Sequence, residues 1–502
     1  MGRDIDTIQF TREDRRRYRE KVKMCLRVLE GLIDAGRFST GRRTLGVELE
    51  VYLTDDRAQV LPVNAEVLAA LASPDFQTEL AQFNMEFATP PRPVQGDCFV
   101  QVEDELRQSL IRASAKAEDF DAHVVMIGIL PTLTDFDVTE QNLSANPRYK
   151  ALNDAILNAR GEDLIIHIEG DETLSTVTNS ILFEAACTSM QLHLQVDPDD
   201  FARYWNAAQV VSGPLVAMAA NSPFFLGKRL HHETRIALFE QATDTRTEEL
   251  AEQGVRPRVW FGEKWLTQGV LELFEENVRY FPSLLPITEA TDPDEILASG
   301  DIPRLEELTL HNGTVYRWNR PVYDIAGGRP HLRIENRVLP AGPTVIDCAA
   351  NVALYYGLLA GLADTQAPVW PEMSFTAAED NFFAAARYGI GAELYWPGIG
   401  MVGAQELMLR HLIPLAQRGL EAWDIDATDI DRYLSIIERR AVTGRNGAIW
   451  QIEAFDHALE SHGLSRAAAR EAVTTRYTEL HQRGEPVHTW PVTAGDALGD
   501  GA

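Results

Sequence analysis

The stretch Gly46-Val47-Glu48-Leu49-Glu50-Val51-Tyr52-Leu53 alternates apolar and polar residues. A strand has a side-chain period of two, so Val47, Leu49, Val51 and Leu53 face one way while Glu48 and Glu50 face the other. Three further stretches alternate in the same way: Phe83-Asn84-Met85-Glu86-Phe87-Ala88-Thr89, Met190-Gln191-Leu192-His193-Leu194-Gln195-Val196 and His331-Leu332-Arg333-Ile334-Glu335-Asn336-Arg337-Val338. Clean one-sided alternation favours an antiparallel sheet, because parallel strands covered on both faces tend to be apolar throughout. The pattern predicts an α+β fold in which helices cover one face of the sheet and a ligand-filled funnel lies on the other.

If the four strands share that sheet, its polar face collects several carboxylates, one imidazole and two guanidinium groups. Like charges about 4 Å apart repel by roughly 4 kcal/mol at an effective dielectric near 20. Such carboxylates are either protonated or held by cations. Mg²⁺ is a natural holder, since it takes oxygen ligands from a few carboxylates and from substrate phosphates. Each stretch alone also fits a blander reading: a solvated polar face, an ion-pair ladder for Arg333, Glu335 and Arg337, or a satisfied core histidine for His193. Four such strands in one chain favour the functional reading.

The chain has 502 residues, enough for two or three domains, with one large elaborated α+β domain as the alternative. Its 46 Lys and Arg against 75 Asp and Glu give a formal net charge of −29, which lacks the basic footprint of a nucleic-acid-binding protein. The cysteines at 25, 98, 187 and 348 are far apart and form no CxxC pair, so reduced thiols are expected. Arg15-Arg16-Arg17 leads into a charged segment, unlike a signal peptide, and the apolar run Val352–Ala363 is too short to span a bilayer. We expect a cytoplasmic protein with small-molecule partners and neither nucleic acid nor membrane. Self-association is left open.

Periodicity divides the chain into an N-terminal helical segment (1–40), an α+β core (41–371), a helical C-terminal section (372–490) and a flexible tail (491–502). Within the core it predicts helices over 102–120, over 201–220 and from Thr344. It also predicts strands over 124–129 and 164–168, and short strands on either side of Gly327-Gly328. In the C-terminal section the helical segments are 376–388, 403–418, 427–441 and 464–482. Gly398-Ile399-Gly400-Met401-Val402-Gly403-Ala404 matches the dinucleotide-binding fingerprint, but no strand precedes it and no βαβ unit follows, so a loop or a helix start is expected there. No Gly-x-x-x-x-Gly-Lys-Ser/Thr motif occurs.

In order along the chain, Gly46-Val47-Glu48-Leu49-Glu50, Glu86 followed by Thr89-Pro90-Pro91, Thr188-Ser189-Met190-Gln191-Leu192-His193 and Arg333-Ile334-Glu335-Asn336-Arg337 resemble the signature of glutamate–cysteine ligases and related carboxylate–amine ligases. The resemblance covers roughly residues 43 to 400. It implies a glutamine synthetase-like fold and ATP-dependent amide formation through an acyl phosphate. By this resemblance Glu48, Glu50, Glu86, His193 and Glu335 ligate two or three Mg²⁺ ions, with Mn²⁺ tolerated. Arg337 and Arg333 bind the transferred phosphoryl group, Arg235 contacts phosphate or substrate, Gln191 orients a ligand or substrate, and Arg317 adds a substrate or nucleotide contact. The alternatives are a ligase with another amino-acid or peptide acceptor, and a nucleotide-binding regulatory protein without turnover. Two departures stand out. The chain carries extra sequence at both ends and in the Thr132–Asp163 and Thr243–Pro303 regions, and Val338-Leu339-Pro340 follows Arg337 where an acidic residue is more usual.

Overall fold

Thr44–Thr54 (β1) is the spine of an eight-stranded antiparallel sheet that curls into a half-barrel. The other members are Phe76–Thr78 (β2), Asn84–Ala88 (β3), Arg92–Pro93 (β4), His123–Val125 (β5), Ser189–Val196 (β6), Asn319–Ala326 (β7) and Arg329–Pro340 (β8). They run in the order β7-β8-β6-β1-β3-β2, and the short β4 and β5 also pair with β1. The structure is a computed structural model and describes residues 10–365 and 368–492, so nearly all of the expected 491–502 tail lies outside the described residues. The β7–β8 hairpin turns on Gly327 and Gly328, with φ of 57° and 74°. A two-residue turn needs positive φ at both positions, which glycine adopts without steric cost.

Val47, Leu49, Val51, Met85, Phe87, Met190, Leu192, Leu194, Leu332 and Ile334 all enter one core cluster. Each such fully buried side chain contributes on the order of 1.5–3 kcal/mol relative to exposure. The helices Phe201–Ala219 and Val345–Ala363 supply much of the opposing surface. The latter starts at Thr344, whose hydroxyl accepts the Asp347 N–H at 3.2 Å. Among the described residues it is the one helix long and apolar enough, by length and composition, to cross a membrane; 89% of that window is buried inside the protein.

The C-terminal helices dock on this second layer through polar anchors. Arg440, on Ala427–Thr443, pairs with Asp347 at 2.9 Å and with Asn351 at 2.7 Å. Tyr477, on Arg466–Arg483, donates to the Met126 carbonyl at 2.8 Å.

Several elements depart from the sequence reading. Gly447–His462 is a helix that periodicity passed over, because Ile449, Trp450, Ile452 and Phe455 ring more than one face and form no single stripe. Strand pairing over 124–129 ends at Val125, and Leu164–Glu169 pairs only with Thr173–Thr178, outside the main sheet. The fingerprint-like glycines belong to a hairpin of Glu393–Trp396 and Gly400–Gly403; Gly398 and Gly400 take the positive φ of its turn, and a helix starts at Ala404.

Candidate active site

Strand register brings the ionisable residues together in two groups. Across β1 and β3, Glu50 lies directly opposite Glu86. Glu79, just past β2, closes this group: one carboxylate oxygen from each of Glu50, Glu79 and Glu86 lies within 4.8 Å of the others. Across β1, β6, β8 and β7 the second group forms. Gly46 faces His193, His193 faces Glu335, and Glu335 faces Arg320. Glu48, two residues along β1, reaches the imidazole, with its Oε1 3.1 Å from His193 Nε2.

A polar relay joins the groups. Glu335 accepts from Arg320 at 2.8 Å and also from Arg337. Arg337 donates to Gln191 Oε1 at 2.7 Å, and Gln191 Nε2 donates to Glu50 at 2.9 Å. The Ser189 N–H holds the other Glu50 oxygen at 2.6 Å. Arg337 reaches inward because the β6–β8 register shifts between Asn336 and Leu339. Such a bulge re-aims a side chain and frees backbone carbonyls. Arg235 takes up the freed groups: its guanidinium donates to the carbonyls of Arg337 (3.3 Å) and Val338, and its Nε to Glu233 at 3.0 Å.

The groups differ electrostatically. Burial pushes Glu50 up to about 7, and the nearby Glu79 adds to the shift. Burial, then Glu48, Glu79 and Glu50, hold Glu86 well above the ordinary carboxylate range, and burial raises Glu79 as well. In the second group burial acts in the same direction but is overcome. Arg320 and Arg337 hold Glu335 well below the ordinary range, and His193 draws Glu48 down.

Two cavities open on the site. One, of about 440 Å³, has Glu48, His193, Glu335 and Arg320 at its base and apolar walls that include Phe274, Leu285 and Tyr323. The other, of about 60 Å³, is lined by Glu50, Glu79, Glu184, Arg235, Arg337 and Trp318, among others.

The remaining predicted residues are placed as follows. Arg333 sits at the rim of the larger cavity, bonded to Asp324 at 3.0 Å and to His331 at 2.8 Å. Arg317 is not brought to the site. It is 1% exposed, its guanidinium is held by Glu276 and Asn277, and it lines neither cavity. Arg317 precedes β7 on a short strand paired in parallel with Val259–Trp260, which turns it into that layer. Glu233, which reads from sequence as surface or local structure, is fully buried as the partner of Arg235. Glu79 and Glu184 were missed. The only sequence signal for Glu79 is the alternation Phe76-Gln77-Thr78-Glu79-Leu80, and Glu184 carries none.

The donor set suits hard divalent cations. Glu50, Glu79 and Glu86 crowd three carboxylates without a neutralising cation among them. Both ring nitrogens of His193 are buried without a hydrogen-bond partner, leaving a lone pair for a metal beside Glu48 and Glu335. Carboxylate groups bridged by an arginine, on the inner face of a curled antiparallel sheet, are the build of an ATP-dependent carboxylate–amine ligase. The chain belongs to glutamate–cysteine ligase family 2, whose model matches residues 44–479.

Among solved structures, the chain is similar to the glutamate–cysteine ligase of Francisella tularensis, determined in complex with AMP. The two share 13% identity at a TM-score of 0.52, with 91% of each chain covered. A weaker likeness links it to a bifunctional glutathione synthetase of Pasteurella multocida, with 10% identity, a TM-score of 0.45, and 91% of this chain and 55% of that one covered. No curated protein matches the sequence.

Proposed function

We propose that this protein activates the γ-carboxylate of glutamate with ATP and joins it to an amine, releasing ADP and inorganic phosphate. The observation that carries this reading is the pair of carboxylate groups joined through Arg337 and Gln191 on one sheet face. Phosphoryl transfer asks a protein mainly for positioning and charge neutralisation. The larger cavity, apolar-walled with Glu48, His193, Glu335 and Arg320 at its base, suits the nucleotide, and its triphosphate would point toward Arg337. Mg²⁺ ions, with Mn²⁺ as substitute, would be held by Glu48, His193 and Glu335 and by Glu50, Glu79 and Glu86, where they neutralise phosphate charge. A donor-carboxylate oxygen attacks the γ-phosphorus, and the bond from that phosphorus to the bridging oxygen of ADP breaks. The amine nitrogen then attacks the acyl carbon, the bond to the phosphate oxygen breaks, and phosphate leaves. Arg337 stabilises the charge spread over the transferred phosphoryl oxygens, as a bidentate donor fits that group. Arg235 holds the bulge that aims Arg337.

The test is ADP release with ATP, Mg²⁺, glutamate and a panel of amines, with hydroxylamine trapping of the acyl phosphate in parallel. We expect a hydroxamate of glutamate, formed only with ATP and Mg²⁺. Purified protein that binds ATP yet yields neither ADP nor hydroxamate with any pair sinks the ligase reading and favours a regulatory nucleotide-binding protein.

A further inference from the structure

Of the carboxylates around the small cavity, Glu184 stands apart. It belongs to a one-turn helix, Leu182–Ala185, just before β6, and is 8% exposed. Its Oε2 is buried with no hydrogen-bond partner. Glu48 has His193, Glu50 has Ser189 and Gln191, Glu233 has Arg235, and Glu335 has two arginines. Glu184 is also outside the three-carboxylate group formed by Glu50, Glu79 and Glu86. The two arginines that share its cavity are committed elsewhere, Arg235 to Glu233 and two carbonyls, Arg337 to Glu335 and Gln191.

A buried carboxylate without a partner is costly, and its environment favours a cation that arrives from outside. Of the species the reaction brings in, the donor carboxylate and the nucleotide are anions, which Glu50, Glu79 and Glu184 together repel. The amine acceptor enters from water as an ammonium ion. Trp318 and Phe239, which also line the cavity, present aromatic faces compatible with a cation. Burial, then the charge of Glu79, lifts Glu184 to about 8, with Arg337 pulling it back, so an incoming positive charge is what the site lacks.

We infer that Glu184 is the acceptor-binding residue, holding the ammonium group of a primary-amine substrate in the cavity beside Arg337 and selecting charged amines over neutral nucleophiles. The inference rests on the ligase reading above and adds to it the acceptor's chemical class and the residue that recognises it.

The experiment is a partition measurement on the full-length protein. Wild type and Glu184→Gln are given ATP, Mg²⁺, glutamate, hydroxylamine (uncharged at neutral pH) and the best acceptor from a panel of the twenty L-amino acids. The ratio of hydroxamate to amide product is then read. Because both nucleophiles compete for the same acyl phosphate, the ratio is independent of how much of the variant folds. Loss of a charged hydrogen bond predicts a ratio shifted toward hydroxamate by roughly ten- to hundredfold. Glu184→Asp, which keeps the charge on a shorter arm, is expected to restore part of the preference. An unchanged ratio in Glu184→Gln overturns the inference and leaves the ligase reading standing. A raised Mg²⁺ requirement with an unchanged ratio overturns it in favour of a metal-ligand role. If wild type forms neither product, the ligase reading falls and this inference falls with it.

Discussion

The two ends of the polar sheet face use the same residue type under opposite conditions. At the Glu335 end, Arg320, Arg337 and His193 surround the carboxylates and keep them ionised despite burial. At the Glu50 end, three carboxylates crowd together, and the nearest guanidinium, Arg337, reaches them only through Gln191. Burial and mutual repulsion there raise Glu50, Glu79 and Glu86. Charge balance at one end is built into the chain, and at the other it must be supplied by a bound cation. The chain thus carries a preformed phosphate-facing end and a metal-dependent end, joined by one glutamine amide.

Three experiments act on that difference, from the largest expected effect to the smallest. Arg337→Met removes the side chain that serves both ends, and we expect turnover to fall by roughly 10³-fold or more. A loss below tenfold in protein with an unaltered melting temperature would mean that Arg337 is structural. Glu79→Gln relieves repulsion at the metal-dependent end but deletes a ligand. Half-saturation by Mg²⁺ should rise by about 10- to 100-fold, with little change in the KM for ATP. An unchanged Mg²⁺ titration removes Glu79 from the metal set.

The third experiment reads stability against pH without metal. The raised carboxyls bind protons in the folded state that the unfolded chain has already released. Their contribution is fully present below the ordinary carboxylate pKa and is lost as pH rises through about 7 for Glu50 and about 8 for Glu184. Glu335, depressed in the folded state, acts in the opposite sense and loses its contribution only in acid. Metal-free protein should therefore melt lower as pH climbs from 5 to 8, by roughly 1–4 °C. Added Mg²⁺ should raise the melting temperature more at pH 8 than at pH 5. A Mg²⁺ effect independent of pH would contradict the contrast between the two ends.

Much of the sheet was legible before any coordinates. Glu48, Glu50, Glu86, Gln191, His193, Glu335 and Arg337 all fall on polar positions of alternating strands, and the structure brings them onto one face. Arg317 shows where that reasoning stops. Its neighbours Tyr316, Trp318 and Asn319 look as promising as the flanks of Arg333, yet a parallel pairing with Val259–Trp260 carries it to Glu276. Arg235 reads from sequence as a substrate contact, but it braces a bulge that no local pattern announces. The helix Gly447–His462 was hidden for a related reason: a segment buried on several sides has no polar stripe to give it a period.

The sequence by itself determined which side chains share a face of each strand, because side-chain alternation is a property of neighbouring residues. It also determined that a buried, like-charged face would require cations. Only the tertiary structure decided that Glu50 meets Glu86 and Glu79, that His193 meets Glu335, and that Glu184 is left without a partner. Those meetings depend on strand order and register between segments far apart in the chain, and these are set by how the whole core packs.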